Sequence, residues 1–130
     1  MPRKSDDFSV LIGMTLTSVE LCSYQGEDNE LEFYTNDNRK FVLYHDQDCC
    51  EVVYIESVVG NLDDIIGSPI LLAESVSSSE RHDDGKITQE AESVTWTFYK
   101  ISTIKGSVTI RWYGTSNGYY SEEVSFAEII

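Results

Sequence analysis

Polar and apolar residues alternate in three runs between Glu92 and Phe126, which is the pattern of strands with one buried face. The breaks fall at Lys105-Gly106 and at Thr115–Gly118, where glycine and asparagine indicate turns. We therefore predict a three-strand antiparallel meander that supplies half of the core and buries both tryptophans. The residues expected to face the core are Val94, Trp96, Phe98, Val108, Ile110, Trp112, Val124 and Phe126.

Runs before this meander have the β-branched and aromatic composition of strands. They are Met14–Cys22, Glu30–Thr35, Arg39–His45, Cys50–Glu56 and Pro69–Val76. Two short helical turns are predicted, over Phe8–Ile12 after a capping Asp7 and over Asn61–Ile66. About seven or eight short strands at this spacing predict a mainly β fold, a β-rich α+β protein whose antiparallel sheets form a sandwich or a strongly bent sheet.

The length of 130 residues suits a single domain over 1–130. Hydrophobic residues make up 41% of the chain, enough for a packed core. The polar, charged start predicts a flexible tail over 1–7. The serine-rich stretch 77–92 contains few apolar residues and predicts a mobile loop.

The chain is strongly acidic, because 9 Lys and Arg residues stand against 23 Asp and Glu residues and give a formal net charge of -14. Like charges repel before contact, so no direct binding to nucleic acid or to an anionic membrane is expected. No apolar run approaches the roughly 20 residues that span a bilayer. The polar start is unlike a signal peptide, and we expect a cytoplasmic protein. A homo-oligomer stays open.

The cysteines are three in number, and two of them, Cys49 and Cys50, are adjacent. Neighbouring residues on a strand point to opposite faces, so these two are poor disulfide partners for each other. We expect reduced, partly buried thiols.

Ligand-type residues are densest in the run His45-Asp-Gln-Asp-Cys-Cys-Glu51. A metal site here would use His45, Asp48, Cys49 and Glu51, and would suit a metal-dependent hydrolase. A zinc site usually takes ligands from two separate segments, and one contiguous run wraps an ion poorly. We favour an acidic loop between strands, and we expect no cofactor.

The run Gly114–Gly118 matches the G-x-S-x-G pattern of a nucleophile elbow around Ser116. That chemistry needs a helix after the serine and a histidine later in the chain. Here a β-type run follows, and His45 and His82 both precede Ser116. We favour a hairpin loop in which Asn117-Gly118 supplies the positive-φ positions.

An arginine among aromatic residues can hold a phosphate or a base by charge and stacking. Candidate ligand-binding residues of this kind are His45, Arg111, Trp112, Tyr113, Asn117, Tyr119 and Tyr120. The alternative is an outer-face Arg111 that pairs with Glu122 or Glu123.

Six segments carry a resemblance to a known family. They are Ile12–Leu16, Tyr44–Glu51, Gly60–Ile70, Ala73-Glu74, Thr95–Ile101 and Arg111–Glu122. Together they resemble a domain-of-unknown-function family of small acidic proteins from bacteriophages and prophages, and the His45–Glu51 run is the most specific part. The resemblance implies an accessory role in an infected bacterium and assigns no catalytic residue.

Three functions remain open. The first is a non-enzymatic accessory protein that inhibits a host defence or control protein with a basic surface. The second is a binder, or sponge, for a small nucleotide signal used in immunity. The third is the metal-dependent hydrolase. The acidic charge favours the first.

Overall fold

The structure is a computed structural model that describes residues 2–24, 26–81, 93–118 and 120–130. Within these ranges it contains nine strands and two 3-10 helices, η1 and η2. In chain order they are β1 Arg3–Ser5, η1 Phe8–Leu11, β2 Leu16–Tyr24, β3 Glu27–Thr35, β4 Lys40–Tyr44, β5 Val52–Val59, η2 Leu62–Ile65, β6 Leu72–Arg81, β7 Ser93–Thr103, β8 Gly106–Ser116 and β9 Ser125–Ile129.

The strands form two sheets that face each other across the core. One has five strands in the order β1-β9-β4-β3-β2, and the other has four in the order β5-β8-β7-β6. Every pair of neighbouring strands is antiparallel. The predicted class, a mainly β protein with antiparallel sheets in a sandwich, is confirmed.

Both sheets contribute to the core between them. Trp112 from β8 and Phe33 from β3 are fully buried. Phe8 of η1 joins them at one side, with its ring centroid 4.9 Å from that of Tyr99 and 5.2 Å from that of Phe126. Burial of each such apolar side chain contributes about 1.5–3 kcal/mol.

Both 3-10 helices lie where the capping residues predict them. The Asp7 carboxylate accepts a hydrogen bond from the Ser9 amide at 3.0 Å. The Asn61 side chain accepts one from the Asp63 amide, also at 3.0 Å. Each cap satisfies a backbone donor that the helix itself leaves open.

The prediction that a third strand of the meander pairs with β8 is wrong. β7 and β8 form the expected hairpin, from Ser93 opposite Ser116 to Thr103 opposite Gly106. The other side of β8 is occupied by β5, so no edge remains for a further strand. The chain therefore crosses to the five-stranded sheet, where β9 pairs with β4 and β1.

The run Gly114–Gly118 is neither a nucleophile elbow nor a hairpin loop. Ser116 ends β8, is buried, and donates its hydroxyl proton to the carboxylate of Glu122 in the crossover. Gly118 has a φ of 87°, as predicted for a turn glycine. No hairpin forms here because both edges of β8 are already paired, with β5 and β7.

Val94 at the start of β7 is buried as predicted, but the face of this strand that meets the core is otherwise opposite to the predicted one. Thr97, Tyr99 and Ile101 are buried, whereas Trp96 and Phe98 lie on the outer face and are partly exposed. Both faces of this strand carry large residues, so alternation alone does not choose between them. The pairing with β8 decides, because Thr97 lies opposite the core residue Trp112.

Both predicted flexible regions are too long. Within the tail predicted over 1–7, β1 pairs with β9, because the outer edge of β9 is open to it. Within the loop predicted over 77–92, Ser77–Arg81 continue β6 and pair with β7. Exposed serines are compatible with this edge strand because its hydrogen bonds come from the backbone. Residues 82–92 lie outside the described part of the chain.

Candidate functional site

The outer face of the four-stranded sheet carries a row of aromatic rings. Tyr113 on β8 lies directly opposite Trp96 on β7 and Tyr54 on β5. Its ring centroid is 4.9 Å from that of Trp96 and 5.7 Å from that of Tyr54. Cross-strand neighbours share a face, so three strands align these rings. We call Tyr54, Tyr113 and Trp96 the aromatic row.

Arg111 lies beside the aromatic row and is held there by an ion pair. Its guanidinium carbon is 5.1 Å from the centre of the Trp96 ring. Its Nε donates a hydrogen bond to the Glu56 carboxylate of β5. This hydrogen bond raises the pKa of Arg111 and lowers that of Glu56. The planar cation is therefore fixed over an indole face, as cation–π contacts require.

The predicted ligand-binding residues do not form one pocket. Arg111 and Tyr113 share the outer face, but Trp112 between them points into the core with 0% exposure. Asn117 is exposed in the crossover, and Tyr120 lines a cleft behind β7. Alternation along β8 causes the split, because neighbouring side chains point to opposite faces. Tyr119 lies outside the described residues.

The outer-face interpretation of Arg111 is confirmed, and its predicted partners are wrong. Glu122 and Glu123 lie in the crossover, whereas Glu56 lies on β5, which pairs with β8. Sequence reasoning also missed two members of the site. The hydrophobic pattern predicts that Trp96 faces the core, and it gives no reason to include Tyr54 in a binding site. Only the pairing of β5 and β7 with β8 brings them to Tyr113.

The His45–Glu51 run forms a loop that binds itself. The Glu51 carboxylate is buried and accepts hydrogen bonds from the backbone amides of Asp48 at 3.0 Å and Cys49 at 2.9 Å. It also accepts from His45 Nε2 at 2.8 Å and from Gln47 Nε2 at 3.0 Å. Burial raises the pKa of Glu51, but these hydrogen bonds outweigh it and lower the pKa to about 2.

His45 connects the loop to the crossover. Its Nδ1 lies 2.7 Å from the carbonyl oxygen of Glu123, and its Nε2 faces Glu51. Both ring nitrogens therefore face oxygen atoms that can accept a hydrogen bond. The side chain is 4% exposed. His45 thus packs inside the loop, away from the aromatic row.

The metal interpretation gains no support from this geometry. His45 and Glu51 use their ligand atoms within the loop. Across the described residues, no group of three or more His, Cys, Asp or Glu side chains is placed to hold a metal ion. The sulfurs of Cys49 and Cys50 are bonded to each other, contrary to prediction. That prediction assumed a strand, whereas these residues form a bend before β5.

Comparison with known proteins gives the family. The model of the domain of unknown function DUF7448 matches residues 9–126, nearly the whole chain. The protein belongs to the DUF7448 family. The predicted resemblance to a family of unknown function is confirmed at that level. The DUF7448 match includes both the aromatic row and the His45–Glu51 loop.

No curated protein and no solved structure matches this DUF7448 chain. In the described ranges, no helix is long and apolar enough to cross a bilayer.

Proposed function

We propose that this DUF7448 protein is a non-enzymatic binding protein that docks a basic protein on the outer face of its four-stranded sheet. The observation that carries the proposal is the aromatic row with Arg111 beside it. Tryptophan, tyrosine and arginine are enriched among the residues that carry most of the binding energy of protein interfaces. The two aromatic residues bury much area with few rotatable bonds. Val76, which is 50% exposed, extends this face on β6.

Charge selects the partner. A net charge of -14 speeds the approach of a basic surface and repels nucleic acid. A second copy of the chain would bring the same negative charge. The occupant that fits is therefore a basic protein, whose lysines and arginines are attracted by the net negative charge of the chain.

The setting of this interaction follows from the sequence resemblance to phage and prophage proteins. In that setting the protein acts in the cytoplasm of an infected bacterium as an accessory factor. It inhibits a host defence or control protein by covering its basic surface.

Two features support a binding role over an enzymatic one. The acid–base pair His45 and Glu51 is enclosed within its own loop. Ser116, the serine of the elbow-like motif, donates its proton to Glu122, and neither histidine of the chain lies after it in sequence.

A capture experiment with matched variants tests the docking face. The immobilised protein is mixed with bacterial lysate, and retained proteins are identified and then measured individually by titration. We expect a basic protein whose affinity falls by about 30-fold or more in Trp96→Ala and in Tyr113→Ala. Tyr34→Ala, on the outer face of the other sheet, is the matched control and should bind as the wild type does.

The docking proposal fails if no basic protein is retained at low or at high salt. It also fails if Tyr34→Ala weakens binding as much as Tyr113→Ala, because the aromatic row would then have no special part.

A small nucleotide signal is the second candidate, favoured by the position of Arg111 over Trp96. A base would stack on the row while Arg111 meets a phosphate. Thermal-shift measurements with cyclic di- and trinucleotides and with ADP-ribose derivatives test it. The absence of stabilisation at saturating concentration would exclude this candidate.

A further inference from the structure

A second concave site lies on the opposite face of β7. A cavity of about 480 Å³ opens between the inner face of β6 and β7 and the crossover that follows β8. Six hydroxyl side chains from these two strands line it. They are Ser75, Ser77, Ser93, Thr95, Thr97 and Tyr99.

The carboxylate of Glu122 lies at this cavity and fixes the direction of the nearby hydroxyls. The residue is 8% exposed. The Thr95 hydroxyl donates to Glu122 Oε1 at 2.8 Å, and the Ser93 hydroxyl donates to the same oxygen at 3.3 Å. Each hydroxyl has one proton and two lone pairs. Once its proton faces Glu122, the Ser93 hydroxyl oxygen can only accept a further hydrogen bond, so this part of the cavity favours a ligand with N–H or O–H donors.

The charged residues that line the cavity restrict the class of ligand further. Glu123 also lines the cavity, and an adjoining cavity of about 450 Å³ that shares Glu123 adds Asp6 and Asp7. Among the described residues, no Lys, Arg or His side chain lines either cavity. The carboxylates would therefore repel an anion here and attract a cation.

Thr97 gives an independent indication of a ligand. It lines the same cavity and is 5% exposed. Its hydroxyl forms no hydrogen bond within the described part of the chain. Among the described residues, the fully buried side-chain polar atom without a partner is Trp112 Nε1 and not the Thr97 oxygen. The Thr97 hydroxyl is therefore reached from the cavity, where a ligand donor can form a hydrogen bond with it.

We propose that this cavity binds a cationic group with several N–H donors, a guanidinium or a primary ammonium, with Glu122 as its counter-ion and Thr97 as a hydrogen-bond acceptor. The site lies behind β7, on the side away from the aromatic row, and does not depend on the docking proposal. Such a group is carried by a free polyamine or arginine, and also by an arginine or lysine side chain of a protein.

Titration calorimetry of the whole protein at low salt, with spermidine, free arginine and an arginine-rich peptide as probes, tests the site. We expect saturable binding of at least one probe with one site per chain. Glu122→Gln should weaken it by about 10-fold or more, because a charge-assisted hydrogen bond is lost. Thr97→Val should weaken it by a few-fold to about 10-fold. Binding of a free probe assigns a small-molecule ligand, and binding of the peptide alone assigns a protein side chain.

The control is Glu20→Gln on the outer face of the five-stranded sheet, which removes the same charge at an exposed position. Thr97→Val keeps the shape and every charge, so it decides the matter if Glu122→Gln does not fold. The proposal is overturned if no probe binds saturably, if Thr97→Val binds as the wild type does, or if Glu20→Gln weakens binding as much as Glu122→Gln.

Discussion

Glu51 shows how one side chain can hold a whole loop. Its carboxylate accepts hydrogen bonds from two backbone amides, from His45 and from Gln47. Removal of a partner from a buried, charged hydrogen-bond network leaves donors unsatisfied. The loop that resembles a metal site is therefore a structural element built around a buried anion.

Substitution Glu51→Gln tests this role. We expect the free energy of unfolding to fall by about 2–3 kcal/mol, because an amide presents one acceptor oxygen and a donor in place of the second. Urea denaturation followed by circular dichroism measures it. Asp48→Asn is the control, since that side chain is exposed and only its backbone amide takes part. Equal stability of Glu51→Gln and the wild type would contradict the structural role.

The acid dependence of stability follows from the same residue. The folded-state pKa of Glu51 is lowered from 4.5 to about 2. A lowered folded-state pKa contributes stability above the unfolded value, and that contribution is lost as the pH falls toward 2. We expect wild-type stability to decrease between about pH 4.5 and pH 2, with a shallower decrease in Glu51→Gln. Parallel pH profiles of the two proteins would show that Glu51 is not responsible.

At the scale of the strand, the two tryptophans lie on opposite faces of the four-stranded sheet. Trp96 on the outer face is partly exposed, whereas Trp112 on β8 is buried. We expect acrylamide to quench one part of the tryptophan fluorescence readily and the other part poorly. In Trp96→Phe the accessible part should disappear, and the remaining emission should lie at shorter wavelength. Easy quenching of all emission in Trp96→Phe would place Trp112 in contact with solvent.

The turn after β5 gives a second test at this scale. Gly60 has a φ of +107°, and a Cβ there would lie 2.5 Å from the carbonyl oxygen of Ser107. Gly13 has a φ of +89° with nothing within 4 Å of a Cβ. Each alanine substitution carries the strain of positive φ, about 1–2 kcal/mol. Only Gly60→Ala adds a backbone clash, so urea denaturation should show a clearly larger loss for it. Equal losses would rule out the close approach of β8.

Sequence patterns predicted the elements better than their partners. Alternation and turn residues located β2 to β8 and both capped 3-10 helices, but they missed β1. They did not place β9, because the choice between β8 and β4 depends on which strand edges are open. They also chose the wrong face of β7, because Trp96 and Tyr99 make both faces aromatic.

Only two of the four residues of the candidate site could be predicted from the sequence, because the other two depend on strand pairing. Arg111 and Tyr113 are two residues apart on one strand, so alternation places them together. Trp96 and Tyr54 reach them only through pairing between strands distant in sequence. The hydrogen bonds of Glu51 likewise depend on the loop closing on itself, which composition does not reveal.

For the molecule as a whole, self-repulsion opposes folding. The chain of 130 residues has a net charge of -14. Some like charges lie close together, for example Glu20 directly opposite Glu32 on neighbouring strands. Salt screens such repulsion, since the Debye length falls from about 30 Å at 0.01 M to about 3 Å at 1 M. We expect the melting temperature to rise over this range of sodium chloride, as measured by calorimetry. A fall would mean that favourable ion pairs such as Arg39–Glu128, at 2.9 Å, outweigh the repulsion.

The His45–Glu51 loop joins the two halves of the sandwich, since His45 follows β4 of one sheet and Glu51 precedes β5 of the other. The hydrogen bonds within this loop therefore hold the connection between the two sheets in one conformation. We expect a search of genomes keyed to these seven residues to gather proteins with the same connection between the two sheets. Sorting that collection by the residues at positions 54, 96, 111 and 113 would then group its members by the composition of the proposed docking face.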